Sequence, residues 1–331
     1  MKKKVTIKDV AKQSGVSIST VSQILNGNSQ NFSPDTVKRV FASRDDLKYQ
    51  PDYFAQRMVV KKSKTIGVIV PDIANPFFAT LIKGIESKLY KENFITILCN
   101  VDSDEQKESD YLTELSRRGV DGYIIAASVA QSKAIKASLR AKSFPFIVMD
   151  QQDADQLSDA VLTDDYDGGK QAAKHLKELG HQNVAVVIPK SPSTNIQNRL
   201  RGFQAVYGEN FLRVDAALSK KGGKEAASAI LSSEVTAIFA SNDEIAFGLY
   251  HALQKAGKTI PQDYSIIGYD NVDMCEYVTP QLTTVAQPIF KLGEETAKLL
   301  LSRLQNPTQE RTEKVLAVDL IKRFSTARLS S

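Results

Sequence analysis

Polar side chains that can hydrogen-bond a small ligand stand directly after short apolar segments in residues 65–331 of this chain. In an open α/β sheet, ligands gather at the carboxyl ends of the strands, so these positions are candidates for binding. Taken singly, each of them is more often a helix cap or a surface residue. Their recurrence in both halves of residues 65–331 favours a binding site. The candidates are Asp150, Asn242, Asp270 and Gln287, with Arg199 at the predicted start of a helix.

Two aromatic rings follow the first of these apolar segments, in the sequence Asn75-Pro76-Phe77-Phe78. An aromatic face is a flat apolar surface against which the C–H face of a sugar ring can pack. One ring of the pair could instead belong to a hydrophobic core, and the sequence does not distinguish which one is exposed. Phe77 and Phe78 therefore both join the candidate site.

Residues suited to catalysis are scarce. His175, His181 and His251 are the only histidines, and their spacing is not that of metal ligands. The chain has neither a Gly-x-x-x-x-Gly-Lys-Ser/Thr phosphate loop nor a Gly-x-Ser-x-Gly nucleophile turn. Gly168-Gly169-Lys170 lacks the phosphate-loop spacing, and we interpret it as the start of a helix capped by Asp167. The sequence therefore argues against an enzyme.

The remaining composition sets bounds on cofactors and location. Cys99 lies in an apolar segment and Cys275 in a polar one, a pair that indicates neither a disulfide framework nor a thiolate metal site. No apolar run approaches the ~20 residues of a membrane helix, and no secretory segment follows Met1. We expect no cofactor, no metal and no membrane association, and a cytoplasmic location.

The elements that must position these residues are predicted from hydrophobic patterning. Short β-branched runs alternate with amphipathic stretches, and the alternation occurs twice, which predicts two doubly wound parallel-sheet lobes. The predicted strands are 65–70, 95–99, 122–126, 146–149, 184–188, 237–240, 265–268 and one near Val285. The predicted helices are 79–92, 106–118, 168–179, 199–207, 244–256 and 292–304.

The first 50 residues have a different pattern. Ile7, Val10 and Ala11 share one face of a predicted helix that Gly15 ends, and Ser17 is a suitable N-cap for a second helix. The second helix directs short polar side chains outward, which suits the edges of bases in a major groove. These outward residues are Ser19, Thr20, Ser22 and Gln23.

A third helix completes this N-terminal segment. Ser33-Pro34-Asp35-Thr36 combines an N-cap, a proline in the first turn and an acidic residue near the helix N-terminus. Val37, Val40 and Phe41 then supply the apolar face that a three-helix core needs. We therefore predict a small helical domain over residues 1–50.

Positive charge is concentrated in the same region. Residues 1–62 hold 12 Lys and Arg against 5 Asp, whereas the rest of the chain holds 31 Lys and Arg against 33 Asp and Glu. A small helical bundle with a solvated basic surface would also fit this charge. Together with the helix pattern, the local excess favours contacts with nucleic-acid phosphates, whose strength falls with salt.

The residues from Thr6 to Lys12, Gly15-Val-Ser and the run from Ser19 to Gly27 resemble the LacI-type bacterial transcription repressors, and the resemblance continues through the whole chain. In that family the second helix enters the major groove, which implies that Ile18, Ser19 and Gln23 face base edges. The resemblance implies that five further residues of the N-terminal domain (1–50, here called the head) also contact DNA: Thr6, Ser17, Thr20, Ser22 and Asn26. Gln23 replaces the arginine usual there, and glutamine favours adenine where arginine favours guanine.

The resemblance also divides the chain into a helix-turn-helix domain (1–50), a hinge helix with its linker (51–64) and a two-lobed domain of periplasmic-binding-protein type (65–331). In the family, the hinge orders on DNA and inserts an apolar side chain into the minor groove. Met58 matches that position, and the small Ala55 one turn earlier permits a close approach. The alternative is that Met58 packs only against the partner subunit.

The cleft between the lobes is implied to bind the effector through Phe77, Phe78, Asp150, Arg199, Asn242, Asp270 and Gln287. This combination looks most like that of the pentose-binding members of the family, above all those that bind ribose. The sequence departs from the family at one position: Gln151 stands where an arginine often follows Asp150, so a contact of that set is weakened or is replaced by one from Gln152 or Asp153.

The resemblance implies a transcriptional repressor of a sugar operon that binds a near-palindromic operator as a homodimer and is released by D-ribose. A release mechanism suits a catabolic sugar, although the sequence does not give the sign of the response. The C-terminal residues 323–331 are too short and polar for a tetramerising tail.

Three alternatives remain open. A catabolite-control regulator of the same fold would use a phosphorylated carrier protein as co-effector. The second alternative is a regulator that answers to another sugar. A plain sugar-binding module or transport component is the third, and the basic head and missing secretory segment argue against it.

Overall fold

The computed structural model describes residues 5–50, 63–102, 104–126, 145–149 and 158–329. By its internal contacts the chain forms two compact units, Met1–Ser63 and Lys64–Ser331. The predicted hinge residues Ala55 and Met58 lie outside the described residues, as do Asp150 and residues 151–153. No helix of the described ranges is long and apolar enough to cross a membrane.

The N-terminal unit contains the three predicted helices: α1 (Ile7–Ser14), α2 (Ile18–Leu25) and α3 (Pro34–Asp46), with a 3-10 turn at Ser29–Asn31. Their shared core consists of Val10, Ala11, Val21, Ile24 and Val40. Partly buried side chains, among them the predicted core residues Val37 and Phe41, pack against it. Because a domain of this size buries a limited apolar area, the ends of these helices matter for stability.

Local hydrogen bonds fix those ends as the sequence predicts. Gly15 adopts a left-handed backbone with φ of 70° and donates its N–H to the carbonyl of Ala11. The Ser17 hydroxyl accepts from the N–H of Thr20 at 3.1 Å and thereby starts α2. Ser33 caps α3 in the same way, with Pro34 in its first turn. The tight turn between α1 and α2 is therefore encoded locally.

The second unit contains two six-stranded sheets, one for each lobe. The first has the order β11-β5-β4-β3-β1-β2 and is parallel throughout. Its strands are β1 (Thr65–Val70), β2 (Ile95–Asn100), β3 (Gly122–Ile125), β4 (Phe146–Met149), β5 (Asp159–Thr163) and β11 (Glu313–Leu316). All six residues of β1 are buried, as expected for a strand covered on both faces.

The second sheet has the order β12-β10-β9-β8-β6-β7. Its strands are β6 (Val184–Ile188), β7 (Leu212–Asp215), β8 (Ala237–Ala240), β9 (Ser265–Asp270), β10 (Thr283–Ala286) and β12 (Asp319–Ile321). The edge strand β12 runs antiparallel to β10, so this sheet departs from the all-parallel arrangement that we predicted. The remaining pairs of this sheet are parallel.

Helices flank both sheets: α4 (Pro76–Lys91), α5 (Glu105–Arg118), α6 (Asp165–Glu178), α7 (Thr194–Tyr207), α8 (Lys220–Leu231), α9 (Asp243–Lys255) and α10 (Ile289–Gln305). Along the described elements, the chain passes between the lobes three times. It leaves the first sheet after β5, returns after β10 to place α10 against α4 and β5, and crosses again between β11 and β12. The lobes are thus joined by three neighbouring crossover segments.

Some sequence predictions were wrong about where elements begin. Helix α7 begins at Thr194, so Arg199 lies within it and does not open it. Helix α6 begins at Asp165 with Asp164 as its N-cap, so Asp167 is not the cap. The sequence also missed helix α8 and strands β5, β7, β11 and β12, which are short or carry charged residues that hide the apolar pattern.

Among the helices that the structure describes, three pairs cross at glycines, and one of these crossings involves Gly169 of Gly168-Gly169-Lys170. A Cβ at Gly169 would collide with the Arg199 carbonyl, and one at Gly202 with the Tyr166 carbonyl. Gly169 of this motif therefore lets α6 approach α7, whereas Gly168 lets α6 approach the Tyr269 side chain on β9. Matching contacts join α4 to α10 at Gly84 and Gly293, and α8 to α9 at Gly223 and Gly248.

Candidate functional site

A cleft lies where the carboxyl ends of the strands of both lobes meet. Its narrow part, of about 60 Å³, is lined by six of the seven predicted ligand residues: Phe77, Phe78, Arg199, Asn242, Asp270 and Gln287. The seventh, Asp150, lies outside the described residues. Sequence reasoning therefore selected residues that the fold brings together from both lobes, although they are up to 210 positions apart.

The cleft continues into a wider cavity of about 390 Å³. The two parts share Asn75, Phe78, Asn195, Ile196 and Leu218. The wider part also reaches Pro71 and Met149 of the first lobe and Ser219 of the second. The cleft mixes aromatic and aliphatic surface with a few polar groups, which is the usual composition of a small-molecule site.

Arg199 is the most buried of the polar side chains that line the narrow part of the cleft, with 3% of its surface exposed. Its Nε donates to Asp165 Oδ1 at 2.8 Å, and one terminal nitrogen donates to the carbonyl of Ser241 at 2.7 Å. The guanidinium carbon lies 3.7 Å from the centre of the Tyr269 ring. These contacts fix the plane of the guanidinium before a ligand binds. Binding therefore does not include the entropic cost of ordering this side chain.

Asp270 and Gln287 form a second polar cluster. Gln287 Nε2 donates to Asp270 Oδ1 at 2.7 Å, and the same carboxylate oxygen lies 3.8 Å from the Arg199 terminal nitrogen. Thr163, at the end of β5, donates to Gln287 Oε1 at 2.9 Å. Because Thr163 also approaches Asp165 Oδ2 at 3.2 Å, these polar groups close a ring across two crossover segments.

The aromatic pair divides its two rings between the core and the cleft. Phe77 is 5% exposed and belongs to the hydrophobic core, whereas Phe78 is only partly buried. Their rings meet edge to face, with centroids 5.1 Å apart. Asn75 caps α4 by accepting from the Phe77 N–H at 2.9 Å, which places both rings at the start of the helix. Phe78 therefore offers the larger surface to a ligand.

Helix N-termini surround the cleft. Asn242 Oδ1 caps α9 by accepting from the Ile245 N–H at 2.9 Å, and Asn75, Ser193 and Ser219 are the N-cap residues of α4, α7 and α8. All four line the cleft. Asn242 therefore both caps α9 and lines the cleft.

Sequence reasoning missed several residues of the cleft and its support. Asn195, Ile196 and Leu218 line it, and Asp165 holds Arg199. The sequence does contain a signal for Asp165: this residue comes shortly after the apolar run that ends at Thr163, just as Asp270 follows the apolar run of β9. No pattern in the sequence marks Asn195, because it lies in the first turn of a helix whose start was placed too late.

Burial raises the pKa of two groups near the cleft, the Asp243 carboxyl and the Tyr269 hydroxyl. Burial raises the pKa of the Asp243 carboxyl to about 6, although hydrogen bonds from Thr284 and Val272 oppose the shift. Burial also raises the pKa of the Tyr269 hydroxyl well above its usual range. Tyr269 therefore stays neutral beneath the Arg199 guanidinium.

In the N-terminal unit, α2 presents the side chains that the sequence predicted. Ile18 is 44% exposed, and Ser19 and Gln23 are also exposed. Other members of the predicted set hold the helices: the hydroxyls of Ser17 and Thr20 are 2.9 Å apart, and Asn26 Nδ2 donates to the Ser22 hydroxyl at 3.3 Å. The exposed face thus combines an apolar side chain with polar ones.

Thr6 precedes α1 and is also exposed. Its backbone N–H and its hydroxyl both donate to Asp9 Oδ2, each at 2.8 Å. This arrangement fixes the start of α1 and leaves Thr6 at the surface of the unit.

Comparisons with protein families divide the chain in a similar way. Residues 6–52 match the family described as bacterial regulatory proteins of the lacI family. Residues 63–324 match the family described as periplasmic binding proteins and the sugar-binding domain of the LacI family.

Relatives of similar length are transcription factors. The HTH-type transcriptional regulator DegA of Bacillus subtilis is 35% identical over 337 residues, covering 99% of this chain and 100% of DegA. The HTH-type transcriptional repressor PurR of Photobacterium profundum is 33% identical, covering 98% of this chain and 99% of PurR.

Solved structures add information on ligands. A LacI family regulator from Enterococcus faecalis with bound ribose is 61% identical with a TM-score of 0.77. A second, from Enterococcus faecium and also with bound ribose, is 53% identical with a TM-score of 0.76. Both cover 80% of this chain and are themselves covered completely. The lac repressor dimer bound to operator and the anti-inducer ONPF is 27% identical over 98% of this chain and all of that one, with a TM-score of 0.86.

Proposed function

The chain belongs to the LacI family of bacterial transcriptional regulators, and on this premise we propose that it represses a ribose-utilisation operon and leaves its operator when D-ribose binds in the cleft. Members of this family bind operator DNA and small effectors and act as dimers. A protein that acts on bacterial operator DNA works in the cytoplasm. Our proposal concerns the response to ribose and the roles of individual residues.

The observation that carries the ribose proposal is the cleft itself. Phe78 offers a ring for the C–H face of a sugar, while Arg199, Asp270, Asn242 and Gln287 offer polar groups for adjacent hydroxyls. Two relatives that are 61% and 53% identical hold ribose in their structures. In our proposal Asp150 completes the set from the first lobe, and Phe77 supports Phe78 from the core.

DNA recognition is assigned to the exposed face of α2. Ile18, Ser19 and Gln23 contact base edges, with Gln23 reading adenine through a bidentate pair of hydrogen bonds. The remaining proposed DNA-contacting residues of the head are Thr6, Ser17, Thr20, Ser22 and Asn26. Met58 enters the minor groove as an apolar wedge, and Ala55 permits the close approach of the two hinges.

The proposed mechanism is a shift between two populations. Ribose closes the cleft, which favours the state of the dimer that binds operator weakly. Because coupling between two binding sites is reciprocal, operator must weaken ribose binding by the factor by which ribose weakens operator binding. The proposed sign, release by the sugar, follows from the need to express a catabolic operon when its substrate is present.

A second candidate is a regulator that answers to a different effector. It is favoured by the full-length relatives, since DegA and PurR carry names unrelated to ribose. A phosphorylated carrier protein as co-effector is a further possibility of this kind. Either would retain the DNA-binding assignment while removing the ribose response.

The deciding experiment titrates D-ribose into the full-length dimer by calorimetry. We expect saturable binding that Arg199→Ala abolishes, because that change removes the group held between Asp165 and the cleft. Operator duplex selected from a random library then serves for fluorescence anisotropy with and without ribose. Binding of ribose together with weaker operator affinity would support the proposal; no heat from ribose would refute it and leave the DNA-binding assignment standing.

A further inference from the structure

The side chain of Asp243 is fully buried directly beneath the cleft, one residue after the cleft residue Asn242. Its carboxylate has no contact with the cleft cavity, since it is absent from the residues that line either part of it. A buried carboxylate is costly unless hydrogen bonds compensate for the lost solvation, so its partners indicate what it does.

Two of those partners belong to the turn that follows β9, and the third lies on β10. Asp243 Oδ2 accepts from the Val272 N–H at 3.0 Å and from the Cys275 thiol at 3.1 Å. Asp243 Oδ1 accepts from the Thr284 hydroxyl at 2.7 Å. One carboxylate therefore connects the start of α9, the turn at 271–275 and strand β10.

The turn requires such support because its backbone is unusual. Asp270 has a φ of 119° and Asn271 a φ of 58°, both in a region that residues with a side chain seldom adopt. Backbone strain of this kind persists only where surrounding contacts over-determine the conformation, and it concentrates at ligand-binding positions. Here the strained residue Asp270 carries the carboxylate that lines the cleft.

Other contacts near the turn are consistent with this assignment. Gly268 leaves room for the carboxylate, since a Cβ there would meet Asp243 Oδ1. Arg323 donates to Asn271 Oδ1 at 2.8 Å and so holds the turn from its outer side. Gln287 holds Asp270 itself, through its side chain to the Asp270 carboxylate and through its N–H to the Asp270 carbonyl at 3.3 Å, whereas Asp243 holds the residues that follow it.

We propose that Asp243 is a positioning residue for effector binding, which fixes the strained turn after β9 so that Asp270 presents its carboxylate to the sugar. This inference rests on the proposed ribose response. It assigns to a side chain outside the cleft a role in affinity that its position in the core would not suggest.

The test compares Asp243→Ala with Asp243→Asn in the full-length protein. Alanine removes every acceptor, so we expect the Kd for D-ribose to rise about tenfold or more. Asparagine retains one oxygen for the Val272 N–H and offers Thr284 an amide group, so we expect a Kd within about threefold of wild type. Asp263→Ala is the matched control, because Asp263 also holds a turn of this lobe, through the N–H and hydroxyl of Thr259, but does not line the cleft.

Hydrogen exchange of the peptide containing residues 270–276 supplies a readout that needs no sugar. We expect faster exchange in Asp243→Ala than in wild type or Asp243→Asn, and no change in Asp263→Ala. If Asp243→Ala does not fold, Thr284→Val removes one of the three bonds with little change in shape and should raise both exchange and Kd.

Two results would overturn the inference: wild-type ribose affinity in folded Asp243→Ala, or unchanged exchange of the turn. Failure of the wild-type protein to bind ribose would instead refute the proposed function. The exchange experiment would then still decide whether Asp243 holds the turn.

Discussion

Arg199 and Asp165 form a buried ion pair across two helices, with the Arg199 Nε 2.8 Å from Asp165 Oδ1 and each side chain 4% exposed. Asp165 is the first residue of α6, directly after a crossover between the lobes, whereas Arg199 lies in the second turn of α7. The pair therefore links the orientation of a cleft residue to a segment that joins the two lobes.

The first prediction concerns this pair. Asp165→Asn should weaken D-ribose binding about tenfold, because Arg199 loses the charge that fixes its plane, and should lower the free energy of unfolding by about 3 kcal/mol. Calorimetry and urea denaturation measure the two effects. Asp167→Asn is the control, since Asp167 lies on the same helix and its carboxylate accepts from Gln171 of that helix at 2.6 Å. Equal ribose affinity in Asp165→Asn and wild type would contradict the prediction.

The second prediction concerns the crossing of α6 and α7. Gly202→Ala should lower the free energy of unfolding by about 2 kcal/mol, because the new methyl group meets the Tyr166 carbonyl and forces the helices apart. It should also weaken ribose binding, since Arg199 and Asp165 lie on the separated helices. Ala205→Ser, at an exposed position of α7, should change neither property by a measurable amount. Thermal denaturation and calorimetry provide the comparison, and a stable Gly202→Ala protein would be evidence against close packing here.

The third prediction concerns Glu108, a fully buried side chain on α5 whose carboxylate oxygens have no hydrogen-bond partner within the described ranges. Burial, with repulsion from Glu105, raises its pKa to about 7 from an ordinary 4.5. Because the folded-state pKa is the higher one, protonation favours the folded protein below about pH 4.5, and this stabilisation is lost as the pH rises through 7.

Glu108→Gln should therefore stabilise the protein by about 2 kcal/mol at pH 8 and by much less at pH 5. Urea denaturation at both pH values measures the difference. Glu114→Gln, at an exposed position of the same helix, should show no such dependence on pH. A constant difference between Glu108→Gln and wild type from pH 5 to pH 8 would rule out titration of Glu108 as the cause.

The fourth prediction concerns the base read by α2. Gln23→Arg should shift the preferred base at one position of each operator half-site from adenine to guanine, since arginine pairs bidentately with guanine O6 and N7. Discrimination at that position should change by about 1–3 kcal/mol. Selection from a random operator library, followed by anisotropy at fixed salt, measures the change. Gln13→Arg is the control, because Gln13 lies on α1, where its side chain donates to Asp46 of α3. If Gln23→Arg and wild type select the same operator sequence, Gln23 does not read a base.

Local features of the sequence were sufficient for the head. Gly15, Ser17 and Ser33 each act on backbone groups within a few residues, so the ends of α1, α2 and α3 could be predicted without the rest of the chain. The same holds for β1 and β6, whose unbroken apolar runs indicate strands covered on both faces.

Charged or short segments could not be predicted in this way. Strand β7 exposes three of its four residues, and β11 pairs with β5 from a position more than 150 residues further along the chain. Such strands form because a neighbouring strand offers unpaired backbone groups, and that partner is visible only after folding.

The sequence alone determined the class of fold, the division into a basic helical head and two α/β lobes, and six described residues of the cleft. It could do so because capping, periodicity and strand-end position depend on residues that are close in the chain. Only the tertiary structure decided which side chains hold the cleft in shape: Asp165 beside Arg199, Thr163 beside Gln287, and Asp243 beneath the turn that carries Asp270. These contacts join residues 29 to 124 positions apart, and a hydrogen bond between such residues depends on the packing of whole elements and leaves no periodic trace in the sequence.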